Sequence, residues 1–179
     1  MKVKRNGHLR GRGVKGCAAA TAIALSLTAT AETKPPLPAA VVDALNLALA
    51  DERHALATYQ AVLERFGEVR PFVNIAQAEQ RHIDALLGIY AHYGVPVPPD
   101  EPQADSATRP LDLAGLCQIG VAAEIENVRL YDEQLLPTVE AHPDISSVLR
   151  ALRDASANNH LPAFERCASR GRGQGHHRN

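Results

Sequence analysis

Tryptophan is absent from this 179-residue chain, and four tyrosines and three phenylalanines are all its aromatics, 4 % of the residues. Strands favour aromatic and β-branched side chains on their pleated faces. A chain this poor in rings and rich in alanine and leucine is a poor sheet former and a good helix former. The apolar run from Cys17 to Leu27 is too short to cross a bilayer, which takes roughly 20 residues. No adjacent Arg-Arg pair precedes that run, which argues against twin-arginine export. Cys17 stands ahead of the run rather than after it, so there is no lipobox.

What the first residues do have is the make-up of a cleaved leader. Lys2, Lys4, Arg5, Arg10, Arg12 and Lys15 form a basic stretch, the short apolar run follows, and Ala29-Thr30-Ala31 supplies a small-x-small cleavage pattern. We therefore expect a signal peptide over 1–31, a mature chain beginning at Glu32, and a periplasmic or secreted protein without membrane insertion after cleavage. Past the leader, cations are scarce. Residues 32–179 hold thirteen Lys and Arg against twenty Asp and Glu, a net charge of −7. That balance argues against nucleic acid and anionic membrane as partners.

Residues 32–38 read as a Pro-rich linker, 39–168 as the folded domain, and 169–179, rich in Gly, Arg and His, as a disordered tail. A tail pair such as His176-His177 binds metal only adventitiously. Within the domain, apolar residues advance by three or four, the period of a helix face. The first helix runs from Ala39 to Phe66 with the face Leu45, Leu49, Glu52, Leu56, Tyr59, Leu63, Phe66, and Gly67 ends it. Pro71 suits the start of a second helix with the face Phe72, Ile75, Glu79, His82, Leu86, Ile89, stopping at Gly94. Five prolines between Val95 and Pro110 make a long loop. A third helix runs from about Asp112 to near Pro137 with the face Cys117, Val121, Glu124, Val128, Tyr131, Leu135. The fourth begins near Pro143 with the face Leu149, Leu152, Ser156, His160, Phe164, Cys167, and Pro162 should kink it or shift its hydrogen bonding just past His160.

The two helix pairs resemble each other. Glu52 precedes Tyr59 by seven residues, Glu124 precedes Tyr131 by seven, and His82 corresponds to His160. The midpoint between Glu52 and the Glu79/His82 pair falls at Phe66-Gly67, and that between Glu124 and His160 at His142-Pro143. Both midpoints are expected turns, so both hairpins deliver their acids and imidazoles to one level. If helices two and three run parallel, the loop must recross the bundle. A helix of about 22 residues is roughly 33 Å long, and sixteen extended residues reach up to about 55 Å.

Glu52, Glu79, His82, Glu124 and His160 interrupt otherwise apolar faces. Burying several carboxylates together is costly unless a cation holds them, and Glu79 and His82, at i and i+3, share one face. Carboxylate oxygens and imidazole nitrogens around open positions suit iron, manganese or zinc. The same heptad steps predict a disulfide. Cys117 lies seven residues before Glu124 and Cys167 seven after His160, which on antiparallel helices is the same direction along the bundle. In an oxidising compartment the two would pair.

A Glu on helix one, Glu-x-x-His on helix two, and a repeat of the pair on helices three and four resembles the ferritin-like dimetal carboxylate proteins, all-α four-helix bundles. Asp51-Glu52-Arg53-His54-Ala55 through Tyr59, and Ala78-Glu79-Gln80-Arg81-His82, resemble the rubrerythrin type. Arg70-Pro71-Phe72, Glu79-Gln80-Arg81-His82, Gly120 to Tyr131, and Asn159-His160-Leu161-Pro162-Ala163-Phe164 are closer to a ferritin-like family described as domain of unknown function twenty-two zero two. The resemblance covers most of 40–168. It implies one or two iron or manganese ions and redox work on peroxide or dioxygen, of ferroxidase or peroxidase type.

The chain departs from that pattern where the second Glu-x-x-His should place its glutamate, because Ala157 stands there. Asn158 and Asn159 are weak ligands, and Asn127 is placed toward the site. One metal is then expected to be held more weakly than the other. No Cys-x-x-Cys segment is present, so an electron donor would be a separate protein; a homodimer is compatible with the pattern. Tyr59 and Tyr131 read as core residues with hydrogen-bonded tips rather than redox groups. His54 and Glu126, about 200° round from the ligand face, read as solvated. Two alternatives stand beside the redox reading: a metal-binding or sequestration module without turnover, and a metal-free structural bundle whose inward polar groups pair with each other.

Overall fold

The computed structural model describes residues 36–101, 104–105, 108 and 111–173. The expected signal peptide, the Glu32 terminus and the His176-His177 pair lie outside them. Every regular element among the described residues is helical. Helix α1 is Ala39–Phe66, and α2 is Phe72–Tyr93. Helix α3 covers 113–138, an α segment Leu113–Leu130, a π turn Tyr131–Leu135 and a last turn Leu136–Thr138. Helix α4 covers 143–173, as Pro143–Ala155, a π turn Ser156–His160, and Leu161–Gly173. It continues through Gly173, past the boundary read at 168.

The ends form where the chain offers caps. Gly94 takes a left-handed φ of 64°, and the Val95 N–H turns back to the Tyr90 carbonyl, 3.0 Å away, closing α2. The Asp112 carboxylate accepts from Gly115 N–H at 2.8 Å and opens α3. Both π turns precede a proline. A proline lacks the N–H and its ring crowds the carbonyl four residues back, so the helix opens a wider turn just ahead of it. Leu136 N–H reaches back to the Tyr131 carbonyl before Pro137, and Leu161 N–H to the Ser156 carbonyl before Pro162. The hydrogen-bond shift expected just past His160 instead includes it.

Cross-helix pairs fix the topology. Asn46 meets Tyr90 and Glu52 meets His82, so α1 and α2 are antiparallel. Cys117 meets Cys167, Glu124 meets His160, and Asp132 meets Arg153, so α3 and α4 are antiparallel too. Glu52 with Tyr131 and Tyr59 with Glu124 set α1 against α3. Hence α2 and α3 run the same way, and the segment between them recrosses the bundle. It does so along α1. Arg53 donates to the carbonyls of Pro98 and Pro99, both at 3.1 Å, and Asp105 N–H donates to Thr58 Oγ1 at 2.9 Å. The Thr108 carbonyl then accepts from Arg65 at 3.5 Å.

Two apolar clusters fill the interior. One holds Leu45, Leu49, Leu86, Tyr90, Leu135, Ile145 and Leu149. The other holds Tyr59, Phe72, Leu116, Cys117 and Phe164, whose rings lie 5.2–5.8 Å apart. In each helix the first cluster and the second lie on opposite sides of one polar residue or pair. The Cys117 and Cys167 sulfurs are at disulfide distance in the second cluster, with Cα atoms 5.7 Å apart. No helix among the described residues is long and apolar enough to cross a membrane.

Candidate metal centre

Between the two apolar clusters every helix contributes to one polar layer. Glu52, Glu79, Glu124 and His160 are 2 %, 3 %, 3 % and 4 % exposed, and the His82 side chain is 12 % exposed. The five residues picked from the sequence are thus brought together, and none of the three carboxylates faces solvent. Their donor atoms form two groups, Glu52 with Glu79 and His82, and Glu79 with Glu124 and His160. Within each group the atoms lie within 4.8 Å of one another.

Glu79 belongs to both. Its Oε2 is 2.8 Å from His82 Nδ1, and its Oε1 is 3.2 Å from His160 Nδ1. Glu52 Oε2 stands 3.0 Å from His82 Nδ1, and Glu124 Oε2 stands 3.4 Å from His160 Nδ1. The rings of His82 and His160 are near-parallel, with centroids 5.5 Å apart. The remaining oxygens of the outer glutamates are held by tyrosines from the opposite hairpin. Tyr131 donates to Glu52 Oε1 at 2.5 Å, and Tyr59 donates to Glu124 Oε1 at 2.8 Å. The two tyrosines therefore have the hydrogen-bonded tips expected of them, each closing the layer from one apolar cluster.

Electrostatics follow from burial and these contacts. Burial pushes the Glu52 carboxyl up to about 8, with the Glu79 charge adding to it against the His82 hydrogen bond. Burial acts the same way on Glu79, but the adjoining His160 and His82 imidazoles outweigh it and hold that carboxyl down at about 2. Burial would lower both imidazoles. Glu52 and Glu79 instead raise His82 to about 9, and Glu124 and Glu79 raise His160 to about 10. Tyr59 and Tyr131 are raised well above the usual phenol value by burial first and by Glu124 and Glu52 next.

Each donor group could hold a metal ion. One ring nitrogen carries one hydrogen, yet each Nδ1 here faces two carboxylate oxygens. Nδ1 of His160 is fully buried and forms no well-directed hydrogen bond, although two oxygens stand 3.2 and 3.4 Å away. Oxygen and imidazole donors converging in this way suit iron, manganese or zinc. Ala157 is half-buried in the widened turn, and the preceding Ser156, on the inward face by spacing, is buried at 3 % exposed. Neither carries a carboxylate. The loss leaves three donor residues in each group, because Glu79 is common to both, so it does not single out one ion by donor count.

The neighbourhood adds to these expectations. Asn127 lines a cavity with Glu79 and Glu124; its amide donates to Asp51 Oδ2 at 2.6 Å, and its Oδ1 is buried without a hydrogen-bond partner among the described residues. Asp51 was not singled out by its periodicity, since it lies one residue off the ligand face; burial raises its carboxyl. Glu126 is exposed and pairs with Arg129 at 2.5 Å. His54 is exposed and lies at the edge of a cavity of about 80 Å³ between α1 and α3, which Asp51, Asp105 and Asn127 line on the way to Glu79 and Glu124. Comparison of the chain with protein-family models, with curated proteins and with solved structures finds no match.

Proposed function

We propose that this is an exported ferritin-like protein in which Glu52, Glu79, His82, Glu124 and His160 hold two ions of iron or manganese and which acts on peroxide or dioxygen. The observation that carries the reading is Glu79, whose two oxygens each meet a different imidazole Nδ1 at 2.8 and 3.2 Å. A carboxylate shared between two donor groups is what a pair of ions needs, whereas a structural ion pair needs one acceptor for each imidazole. The disulfide-distance cysteines fit an oxidising compartment.

When bound, the metal pair supplies the electrons that reduce the oxidant. The chain's residues set the conditions for that chemistry. Three carboxylates favour the higher oxidation state, and the two imidazoles leave coordination positions open. Tyr59 and Tyr131 fix the outer carboxylates in orientation, and the apolar clusters bound the layer along the bundle axis.

The experiment is anaerobic Fe(II) titration of the metal-free protein, followed by stopped-flow absorbance on mixing with peroxide. Two bound ions per chain and oxidation faster than that of free Fe(II) are expected. Tight binding without accelerated oxidation would make the protein a sequestration module. Binding no better than micromolar for iron, manganese and zinc alike would make it a structural bundle.

A further inference from the structure

His82 and His160 meet carboxylates through one nitrogen only. Nδ1 is the atom in every contact described above, and among the described residues neither Nε2 has a hydrogen-bond partner. Both rings instead line a cavity of about 450 Å³ between α2 and α4. Arg81, Arg166, Asn158 and Asn159 line it with them, and no carboxylate does. Neither the Arg81 nor the Arg166 guanidinium is engaged in an ion pair or hydrogen bond with a described residue. The opening between α1 and α3 has the reverse character, with Asp51, Asp105, Glu79 and Glu124 on its walls. The layer thus has an acidic side and a donor-rich basic side.

We propose that the cavity between α2 and α4 binds a small oxyanion of the carboxylate or phosphate class, held between the Arg81 and Arg166 guanidiniums and the Nε2–H edges of His82 and His160. A metal-ligating histidine needs an acceptor for its second ring N–H, usually a carboxylate, a carbonyl or water. Here the protein offers donors where that acceptor belongs. Guanidinium forks match the planar or tetrahedral oxygens of such an anion. The charge balance favours it as well, because two divalent ions on three carboxylates leave one positive charge. The inference rests on the dimetal reading in one respect: the metal pair leaves the layer beside the cavity with a net positive charge. Without metal the guanidiniums and the Nε2–H edges still meet the anion, more weakly.

The test is calorimetric titration of the full chain, metal-free and zinc-loaded, with acetate and with sulfate, the latter standing in for phosphate because it does not precipitate zinc. Saturable binding tighter in the zinc-loaded protein is expected, and by reciprocity the anion tightens zinc by the same factor. Arg81 and Arg166 are exposed, so Arg81→Gln/Arg166→Gln should fold and bind zinc in anion-free buffer as the unaltered chain does. It should weaken the anion by about tenfold or more, the loss expected for hydrogen bonds to a charged group. Absence of saturable binding in both forms overturns the proposal, as does undiminished binding in the double variant. If zinc fails to bind while the anion binds in an arginine-dependent way, the dimetal reading falls and the oxyanion site stands.

Discussion

Tyr131 on α3 donates a 2.5 Å hydrogen bond to Glu52 on α1, 79 residues earlier in the chain, and Tyr59 on α1 returns the contact to Glu124 on α3. The crossing means that each hairpin orients the outer carboxylate of the other. Tyr131→Phe should therefore weaken the Glu52/His82 group and spare the Glu124/His160 group, although Tyr131 and Glu124 share a helix. Leaving a buried acceptor without its donor costs about 1–3 kcal/mol. Metal titration of Tyr131→Phe in Glu52→Gln and Glu124→Gln backgrounds checks the assignment. An effect that persists in full with Glu52 already replaced, and vanishes with Glu124 replaced, would reverse it.

Glu79 is the one donor common to both groups, so its replacement has a different signature from that of the outer glutamates. Glu79→Gln should lose both metal-binding events, whereas Glu52→Gln or Glu124→Gln should lose one. In the unaltered protein the second ion should bind more weakly than the first. The cause is charge, four positive against three negative, rather than unequal donor sets. Stoichiometry by calorimetry and elemental analysis decides this; one remaining tight ion in Glu79→Gln would show that Glu79 is not shared.

Protons and metal compete for the same atoms, and the sign of the pH dependence follows. In the metal-free protein Glu52 is raised to about 8, His82 to about 9 and His160 to about 10. At neutral pH all three hold protons that metal must displace. Metal affinity should rise with pH, and calorimetry in buffers of different ionisation heat should show proton release. Metal-free stability should move the other way. The imidazoles bind protons more tightly folded than unfolded, so their contribution is fully present below about 6.5 and is lost as pH rises through 9–10. Glu52, with its folded value raised, loses its part as pH climbs from about 4.5 through 8. A metal affinity independent of pH between 6 and 8 would contradict this protonation pattern.

The helices and the polar layer were legible because both rest on local spacing. Period-3.6 faces put Glu52, Glu79, His82, Glu124 and His160 inward, and the equal distances of the acids and imidazoles from two turns put them at one height. The heptad steps to Cys117 and Cys167 were legible for the same reason. What spacing could not show is which partner a side chain reaches across the bundle. The Asn127–Asp51 bond and the tyrosine crossing depend on how α1 lies against α3, which no single helix encodes. The π turns also escaped in part. Pro162 announces a disturbance, and Ser156 lies on the inward face by spacing alone, but Pro137 reads only as an end, so the widened turn ahead of it does not show in the sequence.

Gly120 and Gly88 make opposite predictions from the same substitution. Both lie inside helices, where replacing glycine by alanine is worth up to about 1 kcal/mol through backbone entropy. At Gly88 on α2 an added Cβ meets nothing within 4 Å, so Gly88→Ala should stabilise the protein by close to that amount. At Gly120 on α3 the same atom would stand 2.5 Å from the Phe164 ring. That ring is fully buried and packed against Tyr59 and Phe72, with centroids at 5.4 and 5.2 Å, so it cannot swing aside freely. Overpacking of this kind costs about 1–3 kcal/mol, which exceeds the entropic gain. Gly120→Ala should therefore lower the midpoint of thermal unfolding while Gly88→Ala raises it. The displacement also reaches the metal layer, because Phe164 follows His160 by one turn of α4. Metal affinity should fall in Gly120→Ala and stay unchanged in Gly88→Ala. A Gly120→Ala protein with raised stability and unaltered metal binding would mean that α3 and α4 are not packed through this contact.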